Sequence, residues 1–151
     1  MKDSLLYPVG KISNTGLLLA RAIICWLFIW AGLNKLWDWS WATQFVASAG
    51  IPFVDYVLYL AIFVEFLGGT MVLLGYRTRV AAAMLLGFLI PVTLVGHQFW
   101  LFEGMYGIIQ QSHFMANLAI IGGLLLLSVA GPGRYSLDAR NWVWIKERDE
   151  G

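Results

Sequence analysis

The sequence predicts an all-α, polytopic membrane protein built as an antiparallel bundle of four transmembrane helices. Four hydrophobic segments, at about residues 16–36, 54–75, 80–99 and 114–129, each approach the roughly 20 residues that a helix needs to cross the hydrocarbon core. Hydrophobic residues make up 60% of the 151 residues and charged residues only 13%, outside the range of ordinary soluble domains. We therefore expect a single membrane domain over residues 1–151, surrounded by the lipid bilayer.

The distribution of Lys and Arg predicts the orientation of this bundle. Of the ten cations, eight flank the segments on one side, whereas Lys35 stands alone on the other and Arg21 lies within the first segment. The eight are Lys2, Lys11, Arg77, Arg79, Arg134, Arg140, Lys146 and Arg148. By the positive-inside rule, the N- and C-termini and the loop at 75–79 face the cytoplasm. The first and third loops then face outward.

The loops differ in length and in predicted structure. Residues 75–79 are too few to do more than join two antiparallel helices. The outer loops are longer: residues 37–50 predict an interfacial amphipathic helix, and residues 98–112 predict an aromatic-rich loop before the fourth helix. The pairs at 68–69 and 122–123 are glycines, which favour close contacts between helices in lipid.

Charged side chains inside the first two helices predict a buried polar contact. Arg21 and Lys35 share a face of helix 1 that should turn inward, because the residues between them recur at spacings of three and four. Glu65 lies near the middle of helix 2, where an unpaired charge would be costly. We expect an Arg21–Glu65 ion pair. It would either handle protons or, as a structural element, fix the register of the two helices.

A second group of polar residues gathers at the predicted outer surface. Lys35 closes helix 1, His97 closes helix 3, and His113 and Asn117 open helix 4. Two imidazoles beside a lysine could hold the head group of a quinone or relay its protons. The alternatives are a haem or metal site, and histidines that simply populate the interface. The sequence has no His-x-x-x-His pair on one helix and no haem-attachment motif, which argues against a haem or a metal.

Several other functions have no support in the sequence. It contains no glycine-rich phosphate loop, nucleophile–base motif or basic nucleic-acid patch, so we expect no nucleic-acid partner. It also lacks a flavin, haem or iron–sulfur motif and a motif for a covalently attached cofactor. Any redox activity would therefore depend on a partner protein that supplies electrons.

The order of these motifs resembles the DoxX family of small four-helix membrane proteins. The resemblance is carried by residues 19–21 (Leu-Ala-Arg), 32–36 (Gly-Leu-Asn-Lys-Leu), 64–69 (Val-Glu-Phe-Leu-Gly-Gly), 73–75 (Leu-Leu-Gly), Arg79, His97, 99–100 (Phe-Trp), 117–126 and 131–138 (Gly-Pro-Gly-Arg-Tyr-Ser-Leu-Asp). The run at 131–138 is the most distinctive. The sequence departs from the family pattern at Ala116, where the family often has a lysine.

The resemblance implies a membrane subunit of a redox system, similar to DoxX and DoxD subunits of quinone-linked oxidoreductases. On this hypothesis Lys35, His97, His113 and Asn117 orient a quinone near the outer face, and Arg21 and Glu65 handle protons. The resemblance also implies a bacterial plasma membrane and a protein partner or homo-oligomer. The alternatives are a non-catalytic anchor or assembly subunit that docks a partner, and a small-molecule transporter.

Overall fold

The computed structural model describes residues 11–140, with side chains described from residue 14 onward. Within that range the chain forms helices and no strand. The helices are α1 (Lys11–Trp37), α2 (Trp39–Ser48), α3 (Val54–Leu74), α4 (Thr78–Gly96) and α5 (Gly104–Ala130), with a single 3₁₀ turn at Phe99–Leu101.

Four of these helices are long and apolar enough to cross a membrane, which confirms the predicted fold class. The candidate spans are Asn14–Trp37, Val54–Leu74, Thr78–Leu101 and Gly104–Ala130. Extensive packing joins α1 to α3, α3 to α4 and α4 to α5. We call the two ends of the bundle the Lys35 end, which also holds α2, and the Arg21 end, which holds the α3–α4 loop.

Of the two predictions for segments at the Lys35 end, one is confirmed and one is wrong. The helix expected within residues 37–50 is present as α2, whose Asp38 carboxylate accepts a hydrogen bond from the Trp41 backbone N–H at 2.9 Å. The prediction of a loop over residues 98–112 is wrong, because α5 already begins at Gly104. Gly104 has a φ of +66°, which permits the sharp turn into the helix, and a Cβ at Gly107 would lie 2.4 Å from the Phe102 carbonyl oxygen.

The core of the bundle is built from side chains of all four long helices, and α3 packs against both α1 and α4. A Cβ at Gly68 would lie 2.6 Å from Leu85 of α4, and one at Gly69 would lie 3.5 Å from the Cys25 carbonyl oxygen of α1. Gly68 therefore allows the close helix contact predicted for it, whereas a Cβ at Gly69 would make only an ordinary van der Waals contact. Gly122 makes no close contact, because a Cβ there would meet nothing within 4 Å, and a Cβ at Gly123 would make only an ordinary contact with Ile24.

The Arg21 end is closed by residues 131–138, which we call the closing loop. Asp138 caps α4: its Oδ1 accepts from the Arg77 N–H at 2.7 Å, and its Oδ2 accepts from both the backbone N–H and the hydroxyl of Thr78 at 2.9 Å. The Asp138 N–H donates to the Gly75 carbonyl oxygen at 2.9 Å. The loop thus holds the α3–α4 turn and the start of α4 together.

Arg21 is fully buried beneath the closing loop. Its Nη1 donates to the Leu73 carbonyl oxygen at 3.3 Å and its Nη2 donates to that of Tyr135. Its Nε is a buried side-chain nitrogen without a hydrogen-bond partner among the described residues. Arg21 therefore joins α1 to the end of α3 and to the closing loop through backbone carbonyls.

Replacing Asp138 should weaken the closure of the Arg21 end. Asp138→Ala removes three hydrogen bonds to the first turn of α4, and we expect the free energy of unfolding to fall by about 2 kcal/mol. Thermal unfolding in detergent measures this change. Asp38→Ala is the matched control, because Asp38 caps the short α2 through one described bond. Equal stabilities of the two variants would contradict the proposed capping role of Asp138.

A side chain at Gly75 should be still more disruptive. Gly75 has a φ of +65°, and a Cβ there would lie 2.1 Å from Arg21 Nη1 and 2.3 Å from Ser136 Cβ. We expect Gly75→Ala to cost about 2 kcal/mol or more, because it adds left-handed strain to a steric clash. Gly87→Ala in α4 is the control, since a Cβ there meets nothing within 4 Å and alanine favours the helix by about 1 kcal/mol. The heat stability of both variants can be compared by size-exclusion chromatography after heating.

Candidate functional site

An ion pair between Lys35 of α1 and Glu65 of α3 forms the centre of the candidate site. Lys35 Nζ lies 2.8 Å from Glu65 Oε1 and 3.0 Å from Oε2, so one ammonium bridges both carboxylate oxygens. Nζ also donates to the Ala31 carbonyl oxygen at 3.3 Å. The Glu65 side chain is 5% exposed and that of Lys35 is 22% exposed. The carboxylate is therefore enclosed, while the ammonium retains some access.

The predicted Arg21–Glu65 pair is wrong, because the antiparallel register of α1 and α3 separates these residues. A Cβ at Gly32 would lie 3.5 Å from Glu65 Oε2, so Gly32 is the part of α1 that faces Glu65. Arg21 stands eleven residues earlier on α1, about 16 Å away along the helix axis. Lys35 lies within one turn of Gly32, and it is therefore Lys35, not Arg21, that pairs with Glu65.

A histidine and a glutamine extend the polar group from α4 to α5. His97 Nδ1 lies 2.7 Å from Gln110 Oε1, and the His97 ring packs 5.3 Å from the ring of His113. An amide oxygen can only accept, so this contact places the proton on Nδ1 and leaves Nε2 of a neutral His97 free to accept. Gln110 is buried in α5, whereas His113 is exposed. Gln110 is not among the residues predicted from the sequence, because residues 98–112 are expected there to form a loop and α5 in fact includes Gln110.

A cavity of about 250 Å³ lies beside the ion pair, inside the half of the bundle nearest the Lys35 end. Its polar lining comes from Lys35, Glu65, His97 and Asn117, so α1, α3, α5 and the end of α4 each contribute a group. The remaining walls are apolar and consist of Leu27, Phe28, Ala31, Phe88, Leu89, Val92 and Ile120.

Four of the six residues singled out from the sequence thus line one cavity. His113 does not line it but touches His97, which does. Arg21 is the residue that the structure separates from the others, since it is hydrogen-bonded at the opposite end of the bundle. α3 extends past the end of α1 and packs against α2. This offset between the two helices brings Glu65 level with the last turns of α1. Leu58 of α3 packs against Ala42 and Val46 of α2.

The cavity lies at the seam where α1 faces α5. α1 and α5 both line it, yet they are not among the helix pairs with extensive packing. The exposed side chain of Leu27 and the half-buried one of Asn117 lie on the two sides of this seam.

The donor set suits an oxygen-bearing organic group better than a metal ion. No cluster of three or more His, Cys, Asp and Glu side chains that could hold a metal occurs in the described part of the chain. The cavity offers an ammonium, an amide and an imidazole as hydrogen-bonding groups, with one carboxylate as an acceptor. A few polar groups within apolar walls are typical of a site for a small organic molecule.

Comparison with known proteins connects this arrangement to a family. The DoxX family model matches residues 16–98, which span α1 to the end of α4 and include Lys35, Glu65 and His97. No solved structure matches the fold.

Three relatives are named as membrane proteins. The inner membrane protein YqjF of Escherichia coli is 37% identical over 128 residues, which cover 85% of this chain and 93% of the relative. The inner membrane protein YphA of the same organism is 31% identical over 134 residues, 89% of this chain and 96% of the relative. An uncharacterized membrane protein of Mycobacterium tuberculosis, Rv3486, is 40% identical over 96 residues, 60% of this chain and 59% of the relative. With the family match over more than half of its length and two relatives aligned along most of it, this chain belongs to the DoxX family of membrane proteins.

Proposed function

We propose that this protein is an integral subunit of a quinone-linked redox system in a bacterial inner membrane, and that its cavity binds the quinone head group. The observation that carries the proposal is the cavity itself, which brings a buried ion pair, an imidazole and an amide together within the membrane spans. Such groups are expensive at membrane depth and commonly serve a pathway or a ligand. The two Escherichia coli relatives, named as inner membrane proteins, support the location.

The polar residues have distinct parts in this proposal. Asn117 donates a hydrogen bond to a carbonyl oxygen of the head group, and the apolar walls contact its ring. Lys35 has its three donors on Glu65 and Ala31, so it exchanges the longer bond to Ala31 for one to the head group. Glu65, held by Lys35, carries protons to and from the cavity. His97 connects the cavity to the exposed His113. Arg21 has no part in this chemistry, because it is bonded to backbone carbonyls at the other end.

The bound quinone would supply the redox chemistry, taking up two electrons and two protons to become a quinol. The sequence has no motif for a flavin, a haem or an iron–sulfur cluster, so the electrons come from a partner oxidoreductase subunit. The contribution of this chain is to bind and orient the head group and to move its protons.

The seam between α1 and α5 offers a route for a ligand dissolved in the bilayer. A quinone carries an apolar tail that stays among lipid chains while the head group seeks polar partners. A cavity of about 250 Å³ holds a head group but not a long tail, which would lie in the seam. Lateral access between α1 and α5, which both line the cavity, therefore agrees with its size.

Glu65→Gln should weaken quinone binding, because it removes the charge that holds Lys35 in the cavity. We expect the dissociation constant of a short-chain ubiquinone to rise about tenfold or more, measured by isothermal titration calorimetry on the protein in nanodiscs. Glu103→Gln is the matched control, since Glu103 is exposed and does not line the cavity. We expect it to bind like the parent protein.

The same titration separates the proposal from its alternatives. A parent protein that binds no quinone, yet copurifies with one stoichiometric protein partner, would overturn the quinone site and support an anchor or assembly subunit. Uptake of a solute driven by a proton gradient in proteoliposomes, without quinone binding, would overturn it in favour of a transporter.

The stability of charge variants tests whether Lys35 and Glu65 act as one unit. Lys35→Met leaves the enclosed Glu65 carboxylate without its countercharge, so we expect the free energy of unfolding to fall by about 2 to 3 kcal/mol. Adding Glu65→Gln removes that stranded charge and should restore part of the loss. Thermal unfolding of the single and double variants gives the coupling. Additive losses would contradict a direct interaction between the two side chains.

A further inference from the structure

A groove at the Arg21 end lies outside the site described above. It has a volume of about 400 Å³, is open to the surroundings, and is lined by Arg77, Thr78, Arg79, Val80, Pro132 and Asp138. It lies between the start of α4 and the closing loop, beside the end of α5.

The groove has an excess of positive charge that the chain does not neutralise. Its one carboxylate, Asp138, is already occupied by three hydrogen bonds from Arg77 and Thr78. Arg77 and Arg79 are both exposed, and neither makes a salt bridge in the described part of the chain. The guanidinium groups therefore retain most of their donors for an outside partner.

Contacts within the chain hold both arginines in place. Arg79 Nη2 donates to the Val129 carbonyl oxygen at 3.3 Å, which fixes its guanidinium at the end of α5. The Arg77 guanidinium lies 5.9 Å from the centre of the Tyr76 ring. An arginine positioned in this way loses less side-chain entropy when it binds an anion.

The groove also lies at the boundary of the membrane spans. The candidate span of α4 begins at Thr78 and that of α5 ends at Ala130, both beside the groove. Val80, which lines it, is exposed and apolar. A ligand there would lie mainly against apolar surface, with the Arg77 and Arg79 side chains among its neighbours.

We propose that this groove binds the phosphate of an anionic phospholipid such as phosphatidylglycerol. Arg77 and Arg79 donate to the phosphate oxygens, and Val80 and Pro132 contact the glycerol and the first part of the acyl chains. Basic pockets at the ends of transmembrane helices are suited to anionic headgroups. The apolar wall favours a lipid over inorganic phosphate, which has nothing to place against it.

The test uses the full-length protein, delipidated in a mild detergent and titrated with phosphatidylglycerol while bound lipid is counted by native mass spectrometry. The Arg77→Gln/Arg79→Gln double variant should lower the affinity about tenfold or more. Arg134→Gln/Arg140→Gln is the matched control: it removes the same charge from exposed residues at the same end that do not line the groove. We expect its affinity to stay within about threefold of the parent protein. Single Arg77→Gln is measured as well, because it leaves the Arg79–Val129 bond intact should the double variant unfold.

Four outcomes would overturn the proposal. Equal losses in both double variants would mean that general surface charge attracts the lipid. Unchanged binding in the folded Arg77→Gln and Arg77→Gln/Arg79→Gln variants would remove the groove from the interaction. Displacement of the lipid by millimolar inorganic phosphate would identify the ligand as free phosphate. Equal binding of zwitterionic phosphatidylethanolamine would show that the phospholipid charge is not recognised.

Discussion

The close antiparallel packing of α1 against α3 is the interaction on which both ends of the molecule depend. Gly32 makes room for the Phe66 ring of α3, and Gly69 lies in van der Waals range of Cys25 and Phe28 of α1. This contact sets one register between the helices. At one end the register brings Lys35 to Glu65, and at the other it brings Arg21 to the last turn of α3. A shift of one turn, about 5.4 Å, would break both sets of polar contacts.

The two ends satisfy their polar groups in different ways. At the Arg21 end, hydrogen bonds run mainly to backbone carbonyls and amides, and the Asp138 carboxylate is fully used in capping α4. Those groups fix the chain and leave little capacity for a ligand in the interior. At the Lys35 end, the bonds join side chains that also face a cavity. Polar side chains are costly inside a membrane and commonly serve a function there. The polar side chains at the Lys35 end face a cavity, and this distinguishes that end as the candidate site.

The helices and the inward face of α1 could be predicted from the sequence, because hydrophobic length and helical periodicity are local properties. The same periodicity placed Lys35 in the interior, and helix order placed His97 and Asn117 near it. The choice of partner for Glu65 could not be predicted in this way. The sequence gives the depth of a residue in the membrane only relative to the ends of its own segment, as if all four helices began and ended at the same level. In the structure they are staggered: α3 extends past α1 to meet α2, while the start of α1 extends past Gly75 and packs near Gly133. Stagger is decided by packing between segments distant in the chain.

Gln110 could not be predicted for a related reason. The polar residues and glycines of 98–112 resemble a loop, although nine of these residues extend α5.

The closing loop also has a consequence for the order in which the molecule is completed. The α3–α4 hairpin leaves the ribosome well before Asp138, yet it is Asp138 that caps α4 and binds the Gly75 carbonyl oxygen. Until the closing loop has been synthesised, the first turn of α4 has no such cap and Arg21 lacks the carbonyl of Tyr135. Closure of the Arg21 end therefore depends on residues that follow all four spans in the chain. A chain interrupted after α5 would retain every span but would remain open at the Arg21 end, where quality-control proteases could recognise it.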